Sequence, residues 1–131
     1  MTFKHSNLTD GIINAFYQVY NALGYGFLEK VYENALVYEL RKRGFEVVNQ
    51  APIKVYYDGL VVGDYYADVL VNSTVVLELK VAQAIGPEHE AQLLNYLRAT
   101  RYEVGLILNF GPKPQIKRKI YDLARKHATI S

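Results

Sequence analysis

Ala67-Asp68-Val69-Leu70-Val71-Asn72-Ser73-Thr74-Val75-Val76-Leu77-Glu78-Leu79-Lys80 is the stretch that decides the fold. Two runs rich in Val and Leu flank a short polar segment at Asn72 to Thr74, which reads as strand, turn, strand. Three charged residues interrupt the runs: Asp68, Glu78 and Lys80. Charge on a buried strand is costly unless it is paired or binds a metal. Strand alternation puts Glu78 and Lys80 on one face, with Leu77, Leu79 and Val81 on the other. If the hairpin closes between Val71 and Val75, Asp68 lies directly opposite Glu78. Facing carboxylates repel each other, so a divalent cation is their natural partner. The competing interpretation is a structural Lys80–Glu78 pair on a solvated sheet face. The metal site is the expectation carried forward.

Downstream of this hairpin, Gly86-Pro87 ends the strand, and proline suits the first position of a helix, where no N–H is needed. That helix is expected to run to about Thr100, with Leu93, Leu94 and Leu97 in the core. The Val-Gly-Leu-Ile-Leu run between Glu103 and Asn109 reads as a buried strand. After Gly111-Pro112-Lys113-Pro114 the pattern divides. Ile116, Arg118 and Ile120 alternate like an edge strand, while Ile116, Ile120, Leu123 and Ala124 fit a helix. The expectation is a short strand followed by a loose or helical tail.

Upstream, Ile12, Ile13, Phe16, Tyr20 and Leu23 recur at helical spacing over residues 7–23, with Ser6 or Thr9 as the N-terminal cap. Gly24-Tyr25-Gly26 breaks that pattern. A second helix is predicted from about Phe27 to Arg43, with Leu28, Val31, Ala35 and Leu36 on its apolar side. Arg41, Lys42 and Arg43 suit its C-terminal dipole, and Gly44 ends it. Residues 45–57 read as extended, with Pro52 as a bend or edge position. Asp58-Gly59 is a hairpin turn signal between Ile53–Tyr57 and Leu60–Val62, and Tyr65 to Val71 forms the next strand. The order is two helices, a three- to four-strand meander, a helix, a strand and a basic end. That is an α/β (α+β) arrangement with helices on both faces of a mixed sheet.

The chain of 131 residues is read as one domain, residues 1–131, with 113–131 as a basic C-terminal segment. It has no cysteine, which excludes a disulfide scaffold, a thiolate zinc site and a cysteine nucleophile. This suits a cytoplasmic protein. No apolar run is long enough to span a membrane. Net charge is only +2. The twelve tyrosines fit half-buried strands and binding surfaces, where a ring packs and a hydroxyl stays wet. His5, His89 and His127 lack metal-ligand spacing, and His89 beside Glu90 reads as a surface residue. No serine nucleophile pattern or phosphate-cradling glycine loop supports acyl transfer or nucleotide-dependent chemistry.

Two further helical constellations stand out. Gly26-x-x-Glu29-x-x-Tyr32 places Glu29 and Tyr32 on one helix face, with Glu33 four beyond Glu29. On that spacing alone, Glu29 reads first as an acid favoured in the first helical turn. Gln92 and Tyr96 share a face of the third helix, a pair that can orient a carboxylate, a water or a phosphate, or simply form a solvated surface. The end of the chain holds Lys113, Lys117, Arg118, Lys119, Arg125 and Lys126 against the single acid Asp122, which leaves the rest net acidic. Such asymmetry suits contact with a polyanion or a solvated amphipathic end.

With these residues assembled, the chain resembles the small prokaryotic GxxExxY family, which is grouped with the PD-(D/E)XK nuclease superfamily. Gly26, Glu29 and Tyr32 match its naming motif. Asp68 with Glu78-Leu79-Lys80 matches the superfamily's Asp … Glu-x-Lys signature. His89 to Leu97 looks like the family's helix after the core, with Gln92 and Tyr96 at the characteristic spacing. The likeness covers Ile12 to Tyr121. It departs at Tyr66, a position that is often basic in that family.

The resemblance implies a restriction-endonuclease-like αβββαβ core, an active site at one end of the sheet, and Mg²⁺, with Mn²⁺ able to replace it. The expected activity is hydrolysis of phosphodiester bonds by an endo- or exonuclease, with DNA as the nucleic acid. Asp68 and Glu78 would anchor the metal, with the Leu79 carbonyl as a third ligand and Glu29 a further one, directly or through water. Lys80 would orient the attacking water or stabilise transition-state charge, and Gln92 and Tyr96 would position the site or the phosphate. Lys113, Lys117, Arg118 and Lys119 would contact nucleic acid. A homodimer fits, because so small a nuclease domain often needs a second copy to address both strands of a duplex. The alternative is a non-catalytic nucleic-acid-binding or protein-interaction module on the same fold.

Overall fold

The computed structural model describes residues 5–122. Its sheet has five strands: β1 (Val47–Tyr57), β2 (Leu60–Val71), β3 (Val75–Lys80), β4 (Val104–Asn109) and β5 (Gln115–Ile120). They lie in sequence order across the sheet. Only β3 and β4 are parallel; the other neighbours are antiparallel. A parallel neighbour needs a crossover, and helix α3 (Pro87–Ala99) provides it. Helices α1 (Ser6–Leu23) and α2 (Glu29–Lys42) precede the sheet. From α2 to β4 the order is the expected αβββαβ, with α1 added before it and β5 after.

Two cores sandwich the sheet. On one face Ile12, Phe16 and Val19 of α1 and Tyr32, Leu36 and Leu40 of α2 pack on Leu77, Leu79, Leu106 and Leu108. On the other, Leu93, Tyr96 and Leu97 of α3 pack on Leu70, Val76 and Ile107. The continuous apolar runs of β3 and β4 follow from this, since helices cover both sides of the central strands.

The helix ends show what local sequence can and cannot specify. Neither Ser6 nor Thr9 caps α1. His5 occupies the cap with a left-handed φ of 57°, and the Thr9 hydroxyl donates back to the His5 and Ser6 carbonyls. Helix α2 starts two residues later than expected, because Leu28 is still extended after the Gly26 turn. It ends as expected at Gly44. The Gly44 N–H donates to the Arg41 carbonyl and the Phe45 N–H to the Leu40 carbonyl, satisfying the last turn.

Pro52 lies on β1, the edge strand, where a missing donor is tolerated. Asp58-Gly59 closes the β1–β2 hairpin. The expected break before Tyr65 is absent: β2 runs unbroken from Leu60, because β1 pairs with it along its whole length. Strand β2 pairs with β3 only from Val69 to Val71. The rest of β2 continues with β1 as a two-stranded arm. A change of face occurs where the arm begins. Val69 packs on the α1/α2 side, whereas Ala67, two residues earlier, packs on the α3 side. The Asn49–Val69 and Ala51–Ala67 pairs stay in register across it, and between them Gln50 has a φ of 54°.

Candidate active site

The Val69–Leu77 and Val71–Val75 pairs fix the hairpin register and set Asp68 opposite Glu78. The regular ladder stops at Val69, one residue short of Asp68. The Asp68 carboxylate then accepts the Leu79 N–H at 2.7 Å. A side chain thus satisfies the first donor of β3 that β2 leaves behind. Burial pushes the Asp68 carboxyl above its ordinary range, the Leu79 hydrogen bond opposes that, and the Glu33 charge adds to it.

Glu78 is 5% exposed, and its Oε1 is buried without a hydrogen-bond partner. Burial is the largest cause of a carboxyl pKa pushed up to about 8, followed by the charge of Asp68; Lys80 acts the other way. A buried, unpaired carboxylate oxygen is expensive. Among the described residues Lys80 forms no ion pair within 4.0 Å, which disfavours the structural Lys80–Glu78 pair.

Helix α2 brings acids to the same end of the sheet. Glu29, its first residue, is exposed, yet its carboxyl is pushed up first by desolvation and then by the charge of Asp68, with Lys80 lowering it. Gly26 turns the chain into this helix with a φ of 121°, a conformation that suits glycine. Tyr32, fully buried and stacked on Phe110 at 4.5 Å, donates its hydroxyl to the Gly24 carbonyl and accepts the Phe27 N–H. The Gly26, Glu29 and Tyr32 spacing is therefore one mechanical unit: a turn, the acid it presents, and the hydroxyl that ties the turn down.

Helix α3 contributes from the opposite face. Gln92 Nε2 donates to the Tyr96 hydroxyl at 2.9 Å. Tyr96 is buried, not part of a solvated surface, and burial followed by the Glu78 charge raises its hydroxyl pKa. Among the described residues, no three His, Cys, Asp or Glu side chains cluster as a ready metal shell. Asp68 and Glu78 therefore stand as a pair, and Glu29 does not complete a three-carboxylate cluster with them.

Residues 6–119 match the PD-(D/E)XK nuclease superfamily. The chain belongs to that superfamily. No curated protein and no solved structure matches it. The residues expected to form the superfamily's Asp … Glu-x-Lys signature, Asp68, Glu78 and Lys80, lie on the β2–β3 hairpin, and the charges of Asp68 and Glu78 reach Glu29 or Tyr96. The superfamily generally uses divalent metal ions. The donor set fits one: two carboxylates, one carrying an unpartnered buried oxygen, suit a hard cation that keeps several waters.

Other parts of the site had only faint sequence signals. Glu33 is buried, bonded to Lys30 at 2.8 Å and to Gln50 at 3.1 Å, and its charge raises the carboxyls of Asp68 and Glu29. Asn109, paired with Lys80 across β3 and β4, is fully buried; its amide both accepts the Ala82 N–H and donates to the Ala82 carbonyl. It pins the chain just beyond Lys80. A polar residue ending an apolar strand was its one visible mark. His89 is not merely a surface residue, since its Nδ1 accepts the Gly86 N–H and caps α3.

The basic residues divide. Lys113 and Lys117 are exposed. Lys119 is held by Glu90 of α3 at 2.6 Å, so Lys117 and Lys119 face α3. Ile116 packs against the α1/α2 core, which by alternation sends Arg118 to that opposite face. Arg125, Lys126 and the expected loose or helical tail lie outside the described residues. No helix among the described residues is long and apolar enough to cross a membrane.

Proposed function

We propose that this chain is a Mg²⁺-dependent nuclease of the GxxExxY group that hydrolyses phosphodiester bonds in DNA. The observation that carries the proposal is Glu78: a strand carboxylate, buried with one oxygen unpartnered, across from a second carboxylate. A protein that used this sheet only as scaffold would gain stability by replacing Glu78 with an apolar residue. A divalent cation compensates both carboxylates at once.

Asp68 and Glu78 would hold the ion, with the Leu79 carbonyl as a further oxygen donor and Glu29 as an additional ligand, directly or through water. The ion's chemistry in such a site is to acidify water and to stabilise the leaving oxyanion. Lys80 orients the nucleophilic water or balances charge developing on the phosphate. Tyr96, kept protonated by its raised pKa and oriented by Gln92, donates a hydrogen bond toward the substrate. Lys113 and Lys117 supply exposed positive charge for the polyanion.

The test is a cleavage screen over structured DNA and RNA substrates with Mg²⁺, Mn²⁺ or EDTA, alongside calorimetry of Mg²⁺ binding. Cleavage that EDTA abolishes supports the proposal. Folded protein that binds no divalent ion and cleaves no substrate removes it, and the non-catalytic binding module takes its place.

A further inference from the structure

A groove of about 950 Å³ lies between the β1–β2 arm and α3. Its walls include Val55, Tyr56 and Tyr65 from the arm, and Gln92, Tyr96 and Arg98 from the helix. We propose that this groove seats a single-stranded segment of nucleic acid, with unpaired bases stacked on Tyr65 and Tyr56. The inference rests on the nuclease assignment above and adds the form of the substrate.

The arm is shaped to present these rings. Val55 and Tyr56 are consecutive, yet both line the groove, which regular alternation forbids. The pairing register shifts between them, and such a bulge turns a side chain to a new direction. Opposite Val55 stands Gly63, where a Cβ would meet the Tyr65 ring at 2.8 Å. The missing side chain lets that ring lie along the arm. Tyr65 is 49% exposed and Tyr56 60% exposed, so both remain accessible to a partner. The Tyr65 ring lies 5.8 Å from that of Tyr96.

The groove meets the candidate site at Tyr96. Tyr96 belongs to its wall, and the charges of Glu78 and Asp68 both act on the Tyr96 hydroxyl. A polymer lying along the arm therefore passes Tyr96, the wall residue that feels both carboxylates. Charge argues that bases, and not phosphates, fill the groove. Its lining carries one acid, Glu88, and one cation, Arg98, whose guanidinium sits 5.9 Å from the Tyr121 ring. A duplex hides its base faces in its own stack and offers phosphates instead. A single strand offers π-faces to tyrosines and edges to the Gln92 and Asn95 amides.

The experiment measures anisotropy of a labelled single strand of roughly ten nucleotides, and of the matching blunt duplex, in EDTA. Wild-type protein should prefer the single strand. Tyr65→Ala should lose roughly five- to a hundredfold of single-strand affinity while Tyr65→Phe retains it, and duplex binding should not change. Tyr56→Ala, at a more exposed position, repeats the test without threatening the fold. Unchanged single-strand affinity in both alanine variants overturns the proposal. So does a variant that alters only the sedimentation mass, which would make the arm a contact between copies. Calorimetry with Mg²⁺ on the same proteins separates the two failures: metal binding with no tyrosine effect sinks the groove alone, whereas no metal binding sinks the nuclease assignment.

Discussion

Asp68 accepts the Leu79 N–H at 2.7 Å, at the point where the β2–β3 ladder has already stopped. The two strands part there, and the carboxylate closes the gap that a backbone carbonyl would otherwise fill. One oxygen of Asp68 thus holds β3 in place beside Glu78. The residue has a structural task and a proposed metal-binding task, and substitutions can separate them.

Asp68→Asn keeps an oxygen that can accept the Leu79 N–H, whereas Asp68→Ala leaves that donor without it. An unsatisfied buried donor costs about 1–3 kcal/mol. Chemical denaturation should therefore rank wild type and Asp68→Asn close together and Asp68→Ala well below. Both variants should lose Mg²⁺ binding and cleavage, because each removes an anionic ligand from a cation that dehydrates reluctantly. Retained Mg²⁺ affinity in Asp68→Asn would remove Asp68 from the metal site.

Glu78 sets the pH dependence of the metal-free protein. Its folded-state pKa of about 8 lies above the ordinary 4.5, so the folded chain holds a proton that the unfolded chain has released between those values. Stability is then fully present at acid pH and falls as pH rises through about 8. Asp68 and Glu29, whose carboxyls are also pushed up, act in the same direction. The melting temperature in EDTA should fall from about pH 5 to 8, and Glu78→Gln should flatten that slope. An equal slope in wild type and Glu78→Gln would contradict the assignment.

Much of this site was legible because strand alternation and a polar turn act locally. The spacing of Asp68 and Glu78 around Asn72–Thr74 was enough to set them opposite each other, and Gly44 was enough to end α2. The tie between Tyr32 and the Gly24–Phe27 turn was half visible, since the spacing of Gly26, Glu29 and Tyr32 marked the residues but not the hydrogen bonds. The Glu33–Gln50 contact and the Asn109 clamp on Ala82 join segments 17 and 27 residues apart. No periodicity reports such pairs. The change of face at Gln50 was hidden for the same reason: a left-handed φ at a glutamine is chosen by packing, not by propensity. The unbroken β2 is not legible locally, because Gly63-Asp64 separates Leu60–Val62 from Tyr65–Val71 in the sequence, while pairing to β1 carries the strand through.

Lys80 separates catalysis from metal binding. Lys80→Ala deletes a positive charge beside two carboxylates and removes no metal ligand. Mg²⁺ should bind as well or slightly more tightly by calorimetry. Cleavage should nonetheless fall by about 10²-fold or more, the order seen when a group that stabilises transition-state charge is lost. Were Lys80 instead a structural partner of Glu78, the variant would unfold, and pairing it with Glu78→Gln would restore folding.

The basic residues of β5 make the last test, because alternation assigns them to different faces. Lys117 is exposed on the α3 face, the side of the groove and of Tyr96. Arg118 faces the α1/α2 side. If nucleic acid lies along α3, Lys117 contacts a phosphate and Arg118 does not. Each phosphate contact contributes roughly 0.7 to the slope of log affinity against log salt for a single strand, and roughly 0.9 for a duplex. Lys117→Ala should therefore flatten the slope by about that amount, and Arg118→Ala should leave it unchanged. Lys119→Ala is less clean, since it also strips Glu90 of its partner and exposes a repelling acid; the Lys119→Ala, Glu90→Ala pair corrects for this. Salt titrations of single-strand binding in EDTA, run on wild type and all four variants, decide the matter. A slope change in Arg118→Ala equal to that in Lys117→Ala would place the polyanion elsewhere than along α3.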